Sequence, residues 1–220
     1  GQLMSDFDGV VYPTVFDKST EVSTLGNDPA SSVRQFNVQK NLIYKGKASV
    51  TDGEFSFSFV VPRDIAYNYD IGRISYYAEG SGTNANGFYE DFVIGGSSDN
   101  ALVDETGPTI GLYMNDENFA FGGTTDENPA LLAVVADSNG INTVGNGIGH
   151  DITAVLDDNT NNTINLNDFY QADLNSYQSG RVVYPFSDLS EGTHNLRFKI
   201  WDVYNNSEEA YTEFVVAESA

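Results

Sequence analysis

Short runs of alternating apolar and polar residues constrain the fold of this chain more than any other feature. In residues 54–60 (EFSFSFV), three Phe side chains fall on one face of an extended chain and polar side chains fall on the other. This alternation predicts a half-buried antiparallel strand. The pattern recurs in residues 73–78, 150–156, 195–201 and 211–216. No long window has the apolar spacing of an amphipathic helix, so the sequence predicts an all-β protein.

A segment of small polar residues divides the sequence in two. Residues 95–100 (GGSSDN) follow a predicted strand and show no periodicity. We therefore predict a first β-sandwich domain at residues 1–97, a linker at 98–103 and a second domain at 104–220. Several short strands separated by turn residues are typical of tandem immunoglobulin-like antiparallel β-sandwiches, and this is the fold we expect.

The predicted strands occupy most of both domains. In the first domain they are residues 10–16, 33–38, 42–50, 55–61, 71–78 and 87–94. In the second they are residues 108–113, 129–136, 150–156, 163–166, 181–186, 193–201 and 209–216. Asp52 and Gly53 lie between two predicted strands, and this dipeptide favours a tight hairpin turn with positive φ angles.

Composition narrows the functional classes. The chain has 220 residues, of which 40% are hydrophobic and 13% aromatic, enough for packed cores. Its net charge of −22 repels phosphate backbones, so we expect no nucleic-acid partner. The absence of cysteine excludes disulfides, thiolate metal sites and thiol catalysis. The longest apolar runs are too short to cross a bilayer, which predicts no transmembrane segment.

The histidines are the first candidates for catalysis. His150 and His194 are the only two in the chain, and His150 stands next to Asp151. Composition alone leaves a Ser-His-Asp arrangement open, but no serine lies in a G-x-S-x-G elbow. We interpret both histidines as strand-edge residues and predict no catalytic residue.

A calcium-binding loop is a more specific prediction than a catalytic site. Residues 157–168 (DDNTNNTINLND) partly fit an EF-hand loop, with oxygen donors Asp157, Asn159 and Asn161 at positions 1, 3 and 5 and Asp168 at position 12. Position 6 is Asn instead of Gly, and the preceding segment is strand-like. The competing interpretation is a β-hairpin with an Asx-rich turn.

Two further sets of residues suggest binding. The oxygen-rich segments 115–118 and 137–139 could meet at one end of a sandwich and hold a cation. The dense aromatic residues of the first domain could form a sugar-binding face. A possible structural calcium ion is the only cofactor that the sequence predicts.

Several long motifs resemble a known family. They are GVVYPTVFDK (9–18), YKGKASVTDGEFSFSFVVPRDI (44–65), LYMNDENFAFGGTTDENPALLA (112–133), GNGIGHDITAVLD (145–157) and FKIWDVYNNSEE (198–209). Together they are similar to the C-terminal, non-catalytic region of the type IX secretion system sortases, which are gingipain-like cysteine peptidases. The resemblance covers nearly the whole chain.

The resemblance implies a function without catalysis. Such sortases cleave C-terminal secretion signals from exported cargo, and their catalytic Cys and His lie in an upstream domain that no residue here matches. We therefore expect a region that supports the upstream catalytic domain of the same chain, at the outer-membrane-associated cell surface of a Gram-negative bacterium. Secretion subunits and secreted cargo are the implied partners. The alternatives are a calcium-stabilised exported adhesin or carbohydrate-binding module, and an unrecognised hydrolase.

Overall fold

The computed structural model describes residues 5–28, 30–80, 82–98, 103–144 and 149–217. The N-terminal unit of these residues comprises β1 (Gly9–Phe16), β2 (Thr20–Ser23), β3 (Gln35–Val38), β4 (Leu42–Lys45), β5 (Ala48–Val50), β6 (Asp70–Ile71), β7 (Arg73–Gly80), β8 (Thr83–Tyr89) and β9 (Val93–Ile94). The C-terminal unit comprises β10 (Thr109–Met114), β11 (Gly123–Thr125), β12 (Ala130–Ala136), β13 (Thr153–Leu156), β14 (Ile164–Asn165), β15 (Tyr170–Ala172), β16 (Ser179–Pro185), β17 (Gly192–Trp201) and β18 (Ser207–Val216). Two short 3₁₀ turns, Thr160–Asn162 and Asn167–Phe169, flank β14.

The all-β prediction is confirmed. The strands form several antiparallel sheets, consistent with β-sandwich domains, and only β11 and β18 pair in parallel among the named strand pairs of the described residues. No helix in the described ranges is long and apolar enough to span a membrane. Most of the predicted linker at 98–103 lies outside the described residues, so the domain boundaries stay predictions.

The C-terminal unit has the larger core. One sheet has the strand order β10-β12-β16-β15, and the other has the order β11-β18-β17-β13-β14. Phe198 and Phe214 point inward from the long β17–β18 pair and are fully buried with Leu131 of β12. Burying each such side chain contributes about 1.5–3 kcal/mol. This core fixes the ends of β10, β12 and β17, from which the acidic loops described below emerge.

The N-terminal unit is built on one five-stranded sheet. Its order is β4-β1-β7-β8, and β5 continues the β4 edge by pairing with the start of β1. Val11 and Val15 lie on the inner face of β1 and are fully buried. Phe57 and Phe59 cover this face, and their rings stack on Tyr44 with centroids 5.9 and 4.5 Å away.

The predicted strand at residues 55–61 is wrong, although the turn before it is correct. Asp52 and Gly53 have φ angles of 52° and 77°, and Thr51 and Glu54 exchange two backbone hydrogen bonds of 3.0 and 2.9 Å across the turn. After Glu54 the chain leaves β5 and forms no ladder. The Phe side chains keep their alternation because burial against the sheet requires it, whereas the backbone pairing is lost.

A loop of the C-terminal unit explains why residues 55–61 do not pair with β5. In a regular hairpin with this register, Ser49 would pair with Ser56. Instead, the Ser49 N–H donates to Asn175 Oδ1 at 2.8 Å, and the Asn175 N–H donates to the Lys47 carbonyl at 2.9 Å. Leu174 also forms an isolated parallel bridge with Lys47. A loop from the second unit therefore occupies the edge of β5 that the second hairpin arm would have used.

Candidate functional site

Three carboxylates meet at one end of the C-terminal unit. Asp104 precedes β10, Asp137 follows β12 and Asp202 follows β17. The antiparallel pairing of β10 and β12 places the start of one strand beside the end of the other. One oxygen from each carboxylate lies within 4.8 Å of the other two. Asp202 is completely buried and Asp137 is 8% exposed, so two of the three charges are removed from water.

Local turns hold two of these carboxylates in place. Asp137 Oδ1 accepts the N–H groups of Asn139 at 2.7 Å and Gly140 at 3.0 Å. Asp104 Oδ1 accepts the hydroxyl of Thr106 at 2.8 Å, and its Oδ2 accepts the Asn139 amide at 2.6 Å. These bonds leave Asp137 Oδ2 without a protein donor among the hydrogen bonds of the described residues, so it is available to a ligand.

The third carboxylate is fixed by the turn after β17. Asp202 Oδ1 accepts the N–H groups of Tyr204 at 2.9 Å and Asn206 at 2.7 Å. The side chain of Asn206 donates to Asp202 Oδ2 at 2.8 Å and to the Asp104 carbonyl at 3.2 Å. Asn206 thereby connects two of the acidic loops and fixes their separation.

The electrostatics of the cluster favour a cation. Burial raises the pKa of Asp137, and the charge of Asp104 raises it further. Burial likewise raises the pKa of Asp202, with a contribution from Asp137. The pKa of Asp104 is lowered, chiefly by its hydrogen bonds to Thr106. None of the ion pairs within the described ranges includes these three residues. Three carboxylates without a protein counter-charge match the oxygen ligands that Ca²⁺ prefers.

The sequence-predicted calcium residues lie elsewhere. The loop with Asp157, Asn159 and Asn161 joins β13 to β14, which pair antiparallel, so the hairpin interpretation is confirmed. Asp168 lies beyond β14 in the second 3₁₀ turn and is exposed. Neither aspartate belongs to the three-carboxylate cluster, which is the one such grouping found within the described residues. A calcium site at these four residues stays a prediction.

The oxygen-rich segment 137–139 contributes Asp137 to the cluster, but the sequence predicted a different partner segment for it. The structure joins Asp137 to Asp104 and Asp202, and no residue of 115–118 belongs to the cluster within the described part of the chain. Of the missed residues, Asp202 directly follows β17 and begins the turn at 202–206, whereas Asp104 lies in the irregular segment before β10. The position of Asp202 directly after the predicted strand at 193–201 is the signal that the sequence offered.

His194 of β17 contacts the hairpin loop between β13 and β14 and has a structural role there. Its Nδ1 lies 2.8 Å from Asp157 Oδ2 and its Nε2 lies 2.7 Å from the Ser190 carbonyl oxygen. Both partners are acceptors, so the protonated ring, which has an N–H on each nitrogen, satisfies both of them. Burial alone would lower the pKa of His194, but these two acceptors outweigh it and raise the pKa above the ordinary 6.5.

We expect His194→Gln to remove a pH-dependent part of the stability. A raised folded-state pKa contributes stability that is complete below the unfolded value of 6.5 and is lost as pH rises through the folded value. The variant should therefore lose about 1–2 kcal/mol of unfolding free energy at pH 5.5 and clearly less at pH 8.5. Urea unfolding at both pH values checks this, and an equal loss at both would contradict it.

Asp64 joins the two units. Its Oδ1 accepts the Asn205 amide at 2.9 Å, and its Oδ2 accepts the Asn142 amide at 3.1 Å and lies 2.8 Å from His150 Nδ1. The Asp64 side chain is only 7% exposed, and the His150 ring packs on Trp201 with centroids 4.3 Å apart. One carboxylate of the first unit therefore binds three side chains of the second, two from the connection between β12 and β13 and one from the turn after β17.

Backbone contacts extend this junction in both directions. The Arg63 N–H donates to the Val203 carbonyl at 3.0 Å, and its guanidinium donates to the Tyr204 carbonyl at 3.1 Å. At the other end, the contact of Asn175 with β5 ties the units together a second time. Two attachments at separate places resist rotation of one unit against the other, which a single flexible linker does not.

Replacing Asn175 tests the second attachment. Its φ of 60° is left-handed, so Asn175→Gly keeps the backbone and removes only the side-chain acceptor of Ser49. We expect a loss of about 1–2 kcal/mol in urea unfolding and faster hydrogen exchange of the Ser49 amide. Asn175→Ala adds the strain of a positive φ and should lose about 1 kcal/mol more. Unchanged exchange at Ser49 in the glycine variant would contradict the attachment.

The geometry does not assemble a nucleophilic triad. In the described ranges, His150 bonds to Asp64, and His194 bonds to Asp157 and to the Ser190 backbone carbonyl. No serine hydroxyl is bonded to either ring in those ranges. The chain also has no cysteine. Among the residues that the structure describes, neither histidine is therefore arranged as the base of a serine nucleophile.

Comparison with solved structures gives an informative match. No protein-family model matches the chain, and no curated protein matches it. The crystal structure of dimeric latent PorU from Porphyromonas gingivalis matches with a TM-score of 0.52 and 32% sequence identity. The match covers 99% of this chain and 20% of the PorU chain, so this chain spans about a fifth of that protein's length. The predicted resemblance is confirmed: the chain is similar to PorU along nearly its whole length, and the match fits a C-terminal region of PorU.

Proposed function

We propose that this chain is the non-catalytic C-terminal region of a type IX secretion sortase and C-terminal signal peptidase. In this role it supports an upstream cysteine peptidase domain of the same chain and offers surfaces to secretion subunits and secreted cargo. The proposal places it at the outer-membrane-associated surface of a Gram-negative bacterium. The single observation that carries it is the match to PorU across 99% of the chain.

Two features of the molecule agree with a supporting role. The chain has no cysteine, so a cysteine nucleophile has to come from another region. The junction around Asp64 and Asn175 fixes the two units relative to each other. A rigid pair of β-units positions an attached domain more precisely than units on a free hinge.

Sequencing the gene upstream of the Gly1 codon tests the proposal. We expect an open reading frame that continues into a domain with the Cys and His of a peptidase. In a second step, the peptidase part and this chain are purified as two separate proteins, and their association is measured by sedimentation. An upstream stop codon, or the absence of any association, would contradict a supporting role.

A calcium-stabilised exported binding module is the second candidate. The cluster of Asp104, Asp137 and Asp202 favours it, because the described residues give these charges no protein counter-ion. In this proposal Ca²⁺ binds the three carboxylates and ties the loop before β10 to the ends of β12 and β17. Calcium is also compatible with the leading proposal, since a stabilising ion suits a support region. Retention on immobilised polysaccharides would favour the free-standing binding module over the sortase region.

A further inference from the structure

The second arm of the 51–54 hairpin has an unpaired backbone. Within the described residues, no hydrogen bond involves a backbone N–H or C=O of residues 55–61. Asn175 occupies the edge of β5 that this arm would otherwise use. The backbone donors and acceptors of these seven residues are therefore unpaired, and those of alternate residues face one side, as they do at a free sheet edge.

This arm is extended and held in place. The rings of Phe57 and Phe59 stack with centroids 6.2 Å apart and an angle of 10° between their planes, which requires both side chains on one face of an extended backbone. Both rings also stack on Tyr44. No residue of 54–61 has a positive φ. The arm is thus a preorganised strand that lacks a neighbour.

The sequence of the arm does not protect it. Exposed edges in natural proteins usually carry Lys, Pro or a bulge that prevents pairing with other chains. The arm reads FSFSFVV and has no charge and no proline in residues 55–61. A strand of this composition needs a partner to cover it, because otherwise it is prone to aggregation.

A groove beside the arm defines the partner's chemistry. It encloses about 840 Å³ and lies between the β5 edge, the arm and the Asn175 loop. Glu54 directs its backbone groups towards β5, so strand alternation directs those of Ser56 and Ser58 into the same groove. Asp52 and Glu54 line it against one basic residue, Lys47. The whole chain carries −22, so a cationic segment is attracted to the groove.

We propose that residues 55–61 and this groove bind an extended, lysine- or arginine-bearing peptide segment of a partner protein by adding it as a β-strand. The backbone ladder supplies the attraction, and Asp52 and Glu54 select positive charge. This docking edge goes beyond the support role proposed above and does not depend on it.

The experiment uses the whole 220-residue chain and a blocked nonapeptide of alternating valine and lysine as the probe. Hydrogen exchange by mass spectrometry, measured during a titration, should show slower exchange in residues 54–61 when the peptide is present. The matched peptide with glutamate in place of lysine should bind about tenfold more weakly or worse. Equal binding of the two peptides would overturn the proposal. So would the absence of slower exchange at about 1 mM probe, because it would mean a dissociation constant well above about 1 mM.

Two controls separate ladder formation from simple adhesion. The double variant Ser56→Pro/Ser58→Pro removes two donors and should weaken binding about tenfold or more, whereas Ser56→Ala/Ser58→Ala should bind like the original chain. If the proline variant does not fold, N-methylated probes decide: methylation of every valine amide or of every lysine amide blocks opposite edges of the peptide. Only one of them should lose binding, and equal binding of both would overturn the proposal. Protection that appears with rising protein concentration and no peptide would show pairing of two copies, which would also overturn it.

Discussion

Replacing Asp64 by alanine is expected to lower the unfolding free energy by about 3–5 kcal/mol. The carboxylate accepts hydrogen bonds from Asn142 and Asn205 and pairs with His150, and it is almost fully buried. Hydrogen bonds to a charged group contribute about 1.5–3 kcal/mol each, and they are not fully additive. Asn142 is completely buried, so its amide would be left without an acceptor. Urea unfolding gives the free energy directly.

Hydrogen exchange shows where the Asp64→Ala change acts. We expect faster exchange at the Arg63 amide, which bonds to Val203 across the junction. Asp64→Asn keeps the shape and one acceptor and should lose about half as much stability. Asp91→Ala is the matched control, because Asp91 is exposed and should change stability by no more than about 0.5 kcal/mol. An effect of Asp64→Ala as small as that of the control would contradict the junction.

Calcium is expected to raise the melting temperature of the chain by about 5–10 °C. For a dissociation constant of about 10 µM, 1 mM free Ca²⁺ stabilises the folded state by about 2.7 kcal/mol. A change of about 1 kcal/mol shifts the midpoint by about 2–4 °C in a chain of this size. Differential scanning calorimetry with Ca²⁺, Mg²⁺ or chelator measures the shift, and Mg²⁺ should be much less effective because it needs a stricter octahedral geometry.

Two variants identify the calcium-binding residues. Asp202→Asn should abolish the calcium-dependent rise, because it removes the fully buried carboxylate of the cluster. Asp168→Asn should keep the whole rise. The reverse result would place calcium in the loop at residues 157–168, as the sequence predicted. If the unmodified chain shows no rise in melting temperature with Ca²⁺, calcium stabilisation is contradicted altogether.

The pH dependence of the calcium effect has a definite sign. The raised folded-state pKa values of Asp137 and Asp202 mean that, without calcium, these groups lower stability as pH rises above their unfolded value of 3.8. Asp104 has a lowered pKa, so its contribution is present above 3.8 and is lost as pH falls through its folded value. Calcium competes with protons for the carboxylates. The gain in melting temperature should therefore be larger at pH 7.5 than at pH 5.

Strand positions were predictable where burial imposes a period of two. The pair β17–β18 lies close to its predicted limits, because both strands alternate between a core face and a more exposed face. Strand β12 also lies close to its predicted limits, because it is a short apolar run that is mostly buried. The short strands β2, β11 and β15 were not predicted. Strands of three or four residues are too short to show a periodicity of two, and such strands exist because a neighbouring strand offers its edge.

The acidic cluster and the junction could not be predicted in the same way. Asp104, Asp137 and Asp202 are far apart in the sequence, and only the antiparallel register of the sheet brings their loops to one end. Asp64 lies in a segment without strand periodicity and acquires its role from three partners in the other unit. Sequence proximity contains no information on such contacts.

The sequence by itself determined the all-β class, the main strands, the Asp52-Gly53 turn and the resemblance to the sortase family. These features depend on side-chain alternation, on local turn chemistry and on the residue sequence of short motifs, and each of them can be recognised within a limited stretch of the chain. Only the tertiary structure decided that residues 55–61 stay unpaired and that three aspartates share one site. In the first case Asn175 competes for the edge of β5, and in the second the sheet register sets the spacing, because pairing and charge depend on which segments the fold brings together.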